Sequence, residues 1–165
     1  MTNRYEKRIQ KELAALKSEE SPFEVKMTED INLFYFIVKV PAGVFIDQEH
    51  VIEVKLKYGN GEYSFPTNAP LCTFMTPIWH PNVGKGGTIC LDVLKHNWTP
   101  ITRLSSVVDY LLLLLQDPNS TDPMNPICAK DFIQHQPERI VKITRKYYED
   151  EGGPTKVNYY RFINY

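Results

Sequence analysis

The sequence predicts an α+β domain: an N-terminal helix, a four-stranded antiparallel meander, an irregular segment, then about three helices. Three features carry that expectation. An amphipathic helical stripe opens the chain, four short apolar runs follow, and helical periodicity resumes only past Pro100. The links between the runs are short, which favours antiparallel pairing over the longer crossovers that parallel strands need.

Tyr5, Ile9, Leu13 and Leu16 recur at helical spacing, with Thr2 or Asn3 available as a cap. Arg4, Lys7, Arg8 and Lys11 form a second stripe on that helix, either a solvated face or a docking surface for an acidic partner. Ser21-Pro22 ends the helix, and Phe23, Val25 and Met27 alternate as a first strand. Leu33 to Val40 forms the second, closed by Pro41-Ala42-Gly43. Ile52, Val54, Leu56 and Tyr58 alternate with Glu53, Lys55 and Lys57, so the third strand has one wet face. Gly59-Asn60-Gly61 turns the chain, and Leu71 to Met75 makes the fourth strand before Pro77. Behind Ser105 and Ser106, the run V-V-D-Y-L-L-L-L-L predicts a helix apolar nearly all round and buried against the sheet. Pro126 and Pro137 suit first helical positions. The helix from Pro126 is expected to turn Ile127, Phe132 and Ile133 inward, and the helix from Pro137 to turn in Ile140, Val141, Thr144 and Tyr147. Gly152-Gly153-Pro154 then breaks to an aromatic tail over residues 152–165.

One domain over residues 1–165 is the natural expectation for this length. A content of 42% hydrophobic and 12% aromatic residues can fill a core. The net charge of −1 gives no whole-chain attraction to nucleic acid or membrane, so neither is an expected partner. The apolar run Tyr110 to Leu115 falls far short of the ~20 residues that a membrane span needs. The first twenty residues are too charged for a signal peptide. Cys72, Cys90 and Cys128 are odd in number and lack a C-x-x-C, which fits a reducing interior, cytoplasmic or nuclear, rather than a disulfide framework.

The chemistry concentrates between Pro77 and Pro126. Prolines and glycines keep its first half irregular, and a compact domain rarely retains such a segment without a function for it. Cys72 sits in a strand and Cys128 in a helix, where cysteine acts as a small hydrophobe. Cys90 sits where the backbone is irregular and open to a partner. His80 is either a base for that thiol, as in a Cys-His-Asn hydrolase, or a brace of the loop through backbone hydrogen bonds. Such triads usually draw the histidine from far away in sequence, which weighs against the hydrolase. Asn82 is either a turn residue or an amide donor to a developing oxyanion. Cys72, His80, Cys90 and His96 have no recognised zinc-ligand spacing, so no metal and no cofactor are expected.

In order, the chain carries H-P-N at His80, Pro81 and Asn82, C-L-D from Cys90, W-x-P at Trp98 and Pro100, and D-P-N-x-x-D-P ending at Pro123. Ahead of these stand K-R-I-Q-K-E-L from Lys7 and the pair Pro66 and Pro70. This ordered set, spread over nearly the whole chain, resembles the ubiquitin-conjugating enzymes and implies their fold. The resemblance makes Cys90 the acceptor of a modifier's C-terminus, as a thioester, from an ATP-dependent activating enzyme. It gives Asn82 oxyanion stabilisation or loop support, and sets Asp122, with Asn119 beside it, against the incoming lysine. His80 and Pro81 become the structural loop. Lys7 and Arg8 match positions that contact the activating enzyme. The loops at Thr67 and Pro100, with the first helix, match the docking face for RING-type ligases. Thr67 stands where the family commonly has a large apolar residue, and Ala69-Pro70 where it commonly has Pro-Pro.

The physics agrees with transfer. A thiol near its reference pKa of ~8.5 is a few per cent thiolate at pH 7, enough for exchange between thiols. A strong base beside Cys90 would activate water and destroy the product. As for the modifier, the V-P-A-G-V-F-I link and Gly152-Gly153 with its aromatic tail are similar to the neddylation branch, which loads a Nedd-type modifier for transfer to cullins. Asp92, two residues past Cys90, is the residue usual in ubiquitin enzymes proper. The Nedd-type modifier is the expectation and ubiquitin the alternative; a non-catalytic adaptor of the same fold is a third reading, against which Cys90 argues.

Overall fold

The computed structural model describes residues 3–17, 22–43, 49–76, 78–89, 96–134, 138–140, 142–143 and 146. Cys90, Asp92, Val44, Phe45 and Ile46 of the V-P-A-G-V-F-I link, and residues 152–165 lie outside the described residues, as do Val141, Thr144 and Tyr147.

Helix α1 spans Arg4–Leu16. Asn3 caps it, its Oδ1 accepting from the Glu6 N–H at 2.8 Å, and a cap of this kind is worth about 1 kcal/mol. Ile9, Leu13 and Leu16 are buried and Tyr5 is half-buried, as their spacing predicts. Strands β1 (Phe23–Met27), β2 (Leu33–Lys39) and β3 (Glu49–Lys55) pair antiparallel in sequence order. Strand β6 (Leu71–Phe74) closes the four-stranded sheet beside β3. Alternation places Phe34, Phe36 and Val38 on one face with Ile52, Val54, Cys72 and Phe74, and this face carries the main core.

The third strand ends sooner than its alternation predicts. The ladder stops at Lys55, and Leu56 turns off it, its N–H bonding to the Asn32 carbonyl at 2.8 Å. Lys57–Tyr58 (β4) instead pairs with Tyr63–Ser64 (β5) around Gly59–Gly61, a turn held by positive φ at all three of its residues.

Helix α2 (Leu104–Gln116) buries Leu104, Val107, Val108, Leu111, Leu114 and Leu115. It is not enclosed all round: Leu113 is 58% exposed. Consecutive leucines pass right round a helix at ~100° per residue, and the sheet covers only one side. Helix α3 (Pro126–Ile133) also departs from expectation. Phe132 is half-buried, but Ile127 and Ile133 are exposed, while Cys128, Ala129 and Asp131 are buried. The cap at Asn125, whose Oδ1 accepts from Cys128 N at 3.1 Å, fixes the helix's rotation. The Trp79 indole N–H, donating to Asp131 Oδ2 at 3.2 Å, then holds Asp131 inward. Residues 138–140 are helical, with Ile140 buried.

Candidate active site

Four consecutive residues between β6 and α2 each grip a different part of the molecule. Trp79 holds Asp131 of α3. His80 donates from Nε2 to the Leu114 carbonyl in the last turn of α2, at 2.7 Å. The Pro81 carbonyl accepts from Asn125 N at 2.9 Å, at the cap of α3. Asn82 pairs with the backbone of Asn119: its Oδ1 accepts from Asn119 N at 2.8 Å and its Nδ2 donates to Asn119 O at 2.6 Å.

His80 cannot act as a base in this arrangement. A carbonyl only accepts, so Nε2 carries the hydrogen, and Nδ1 accepts from the Asn82 N–H at 2.9 Å. The ring is fully buried and neutral, and burial pulls its pKa down to about 4. Between the two ends of the Asn82–Asn119 and Pro81–Asn125 links, Asn119 Oδ1 accepts from both N and Oγ1 of Thr121, bending the chain just before Asp122. Asp122 is exposed at the tip of that bend.

A hairpin leaves from Asn82. Val83 bridges Ile89, the Gly84 N–H bonds to the Thr88 carbonyl at 2.8 Å, and Thr88 bridges Thr73 on the edge of β6. The turn at Lys85–Gly87 needs glycine at its close: Gly87 has φ +83°, and a Cβ there would stand 1.9 Å from the Phe74 carbonyl oxygen. The hairpin thus lies flat on the sheet edge, and Ile89, buried, is its last described residue.

Apart from this segment, α1 and two loops form one surface. Arg8 donates to Glu12 at 2.7 Å and to the carbonyls of Pro100 and Thr102 at 3.0 and 3.1 Å, with its guanidinium 5.3 Å from the Phe65 ring centroid. Glu12 is buried and accepts from the Leu104 N–H at 2.9 Å, capping α2 in place of a side chain of its own. Trp98 donates to the Pro66 carbonyl at 2.8 Å. Lys7, Thr67, Pro100 and Ile101 stand exposed around this network.

The protein-family model for ubiquitin-conjugating enzymes matches residues 8–148. This chain belongs to the ubiquitin-conjugating enzyme family. Ubiquitin-conjugating enzyme E2 13 of Saccharomyces cerevisiae is 36% identical over 131 residues, 79% of this chain and 84% of that protein. “Probable ubiquitin-conjugating enzyme E2 W” of Dictyostelium discoideum is 31% identical over 154 residues, 92% of this chain and 99% of that one. Among solved structures, a ubiquitin conjugating enzyme E2 domain of Toxoplasma gondii matches with a TM-score of 0.73 at 27% identity, covering 89% of this chain and 98% of that chain. A Plasmodium yoelii structure, at 24% identity and a TM-score of 0.76 over 91% of this chain and 96% of its own, has the same fold.

The enzyme is therefore a transferase, a conjugating enzyme that works with a ubiquitin-like modifier, an activating enzyme and ligases. The narrower expectation of the neddylation branch goes beyond what these relatives, named for ubiquitin, support.

Of the conjugating enzyme's expected site residues, Asn82, Asn119 and Asp122 come together with His80 and Pro81. Lys7, Arg8, Thr67 and Pro100 gather on the separate α1 surface. Arg8 braces that surface through hydrogen bonds to Glu12 and to the Pro100 and Thr102 carbonyls, and Lys7 stands exposed beside it. Cys72 and Cys128 are buried, and burial drives both thiols up to about 12, so neither supplies thiolate at neutral pH. Sequence reasoning missed Glu12 and Asn125. A carboxylate three residues past Ile9 on the apolar stripe was the visible sign of the first. An asparagine immediately before Pro126 was the sign of the second.

Proposed function

We propose that this chain is a ubiquitin-conjugating enzyme proper, taking the C-terminal carboxyl of ubiquitin as a thioester on Cys90 and passing it to a substrate lysine. The observation that carries the reading is the frame leading to Cys90. Its neighbour Ile89 is bridged to Val83, and Val83 follows the Asn82 that grips the segment before Asp122. The names of the relatives support ubiquitin over a Nedd-type modifier.

In the loading step, the Cys90 thiolate attacks the thioester carbonyl on the activating enzyme. A new C–S bond forms, the old one breaks, and the proton lost from Cys90 is balanced by the one the leaving thiolate takes up. In the second step a neutral lysine amine attacks the same carbonyl, a C–N bond forms, Cys90 leaves as thiolate, and the amine proton passes to solvent. Having lysine neutral at pH 7 costs about 4–5 kcal/mol, and an ordinary carboxylate is a poor base for its proton. Asp122 therefore orients and partly desolvates the amine. Asn82 acts in the conformation described here as a positioning residue, since its amide already holds Asn119.

A charging assay tests the reading, with activating enzyme, ATP and either ubiquitin or a Nedd-type modifier, resolved on a non-reducing gel. A thiol-sensitive ubiquitin adduct, lost in Cys90→Ser, is expected. Charging with the Nedd-type modifier alone would move the enzyme to that branch, and no adduct with either would sink the proposal. On the charged enzyme, Asp122→Ala should slow discharge to lysine by at least about tenfold, about 1.4 kcal/mol, with loading nearly intact. Equal loss of both steps would contradict its role.

The α1 surface gives a second test. Lys7→Ala should raise the KM for the activating enzyme with no change in Tm. Arg8→Ala should raise KM and also lower stability by about 2 kcal/mol, because it strips a buried carboxylate and two carbonyls of a partner. A Tm loss in Lys7→Ala, or none in Arg8→Ala, would contradict the division.

A further inference from the structure

Beside the hairpin that ends at Ile89 runs an open cleft, with Ile78 and Val83 on one side and Met124 and Ile127 on the other. No charged residue lines it among those described, although 24% of the chain is charged. Two of its apolar side chains face solvent: Met124 is 39% exposed and Ile127 68%. Ile127 stands in the first turn of α3, on the face turned outward by the Asn125 cap. Gly84 shapes the near wall. A Cβ there would lie 3.2 Å from Met124 Cε, so a bare backbone is what gives Met124 its room.

We propose that this cleft is an acceptor-side subsite, which takes an apolar side chain flanking the target lysine. The inference rests on the thioester reading of Cys90 and deepens it. An amine that reaches the thioester brings its neighbouring residues with it, and the cleft flanks that route. One wall is the hairpin that delivers the chain to Cys90, and the other begins two residues past Asp122. The charge pattern selects the occupant: the ammonium has a carboxylate at Asp122, and the adjoining side chain meets an uncharged surface. An acidic or basic flanking residue would find no partner among the described lining residues and would lose water on entry. A leucine would bury apolar area on both sides.

The test uses the ubiquitin-charged full chain and three acetylated peptides: Gly-Gly-Lys-Gly-Gly, and the same sequence with leucine immediately before or after the lysine. Single-turnover discharge is measured at peptide concentrations well below saturation. The better leucine peptide should react about tenfold faster than the all-glycine peptide, about 1.4 kcal/mol. In Ile127→Glu and in Met124→Glu that ratio should fall below about twofold. The ratio compares two peptides on the same enzyme, so a change in active fraction cancels. A wild-type ratio within twofold of one, or a ratio unchanged in both variants, overturns the proposal. So does a ratio near one accompanied by a dimer that Ile127→Glu abolishes, which would assign the cleft to a second copy of the chain. Failure to charge Cys90 at all would overturn the underlying reading as well; charging without the leucine preference would overturn this inference alone.

Discussion

His80→Ala is expected to destabilise the fold by about 4 kcal/mol in urea unfolding at pH 7. The ring is fully buried and joins two elements through opposite nitrogens, Nε2 to the Leu114 carbonyl and Nδ1 to the Asn82 N–H. Alanine leaves a carbonyl and an amide without those partners, at about 1–3 kcal/mol each, and opens a cavity whose lining loses its contacts. Against a typical stability of about 5–15 kcal/mol that is a large share. A loss below about 1 kcal/mol would mean that water or a neighbour replaces the ring, and that His80 does not brace the site.

The second large effect is acid sensitivity. His50 is also fully buried, with Nδ1 2.8 Å from Thr76 Oγ1, and burial pulls its pKa down to about 3. Both histidines are neutral in the fold and titrate near 6.5 once unfolded. The unfolded chain therefore binds more protons than the fold below pH 6.5. The stability gained by burying neutral rings is fully present above that pH. It is lost as pH falls towards the folded values, about 4 for His80 and about 3 for His50. Each ring contributes a slope that approaches about 1.4 kcal/mol per pH unit at its limit, and between pH 6 and 5 the pair together loses about 2 kcal/mol. His80→Ala keeps only the His50 share, and its slope should fall to about half. Urea midpoints at pH 7, 6 and 5 read this directly, and an unchanged slope in the variant would contradict a neutral, buried His80.

Much of this architecture was legible because one face of each element is covered. The period of two in β2 and the 3.6-residue stripe of α1 mark buried positions, so element types and the antiparallel order follow from pattern. The failures fall where pattern is blind to rotation and termination. Nothing in K-L-K-Y-G-N-G says that the ladder stops at Lys55, since that depends on the Asn32 carbonyl capturing the Leu56 N–H from another part of the chain. Ile127 and Ile133 read as core because they are apolar, yet the Asn125 cap and the Trp79–Asp131 bond turn them out. At the site, H-P-N and D-P-N-x-x-D were visible as strings. That each residue from Trp79 to Asn82 ties down a separate point of the later chain was not, because those bonds span 34 to 52 residues or end on backbone atoms that carry no sequence signature.

Arg8 shows the same limit from the opposite side. A basic stripe on a helix predicts a charged surface, and Lys7 fits it. One residue of helix phase, ~100°, separates an exposed lysine from an arginine locked onto two carbonyls, and composition cannot tell them apart.

The central claim is that the frame leading to Cys90 serves transfer, and that His80 is its scaffold and not a base. The most direct measurement is the rate at which water discharges ubiquitin from charged Cys90, followed from pH 6 to 9 in the absence of any amine acceptor. With both ring nitrogens of His80 committed inside the fold, the rate should rise smoothly with hydroxide concentration and show no inflection in the histidine range. An inflection between pH 6 and 7 that disappears in a folded His80 variant would make His80 a general base, and would contradict the account.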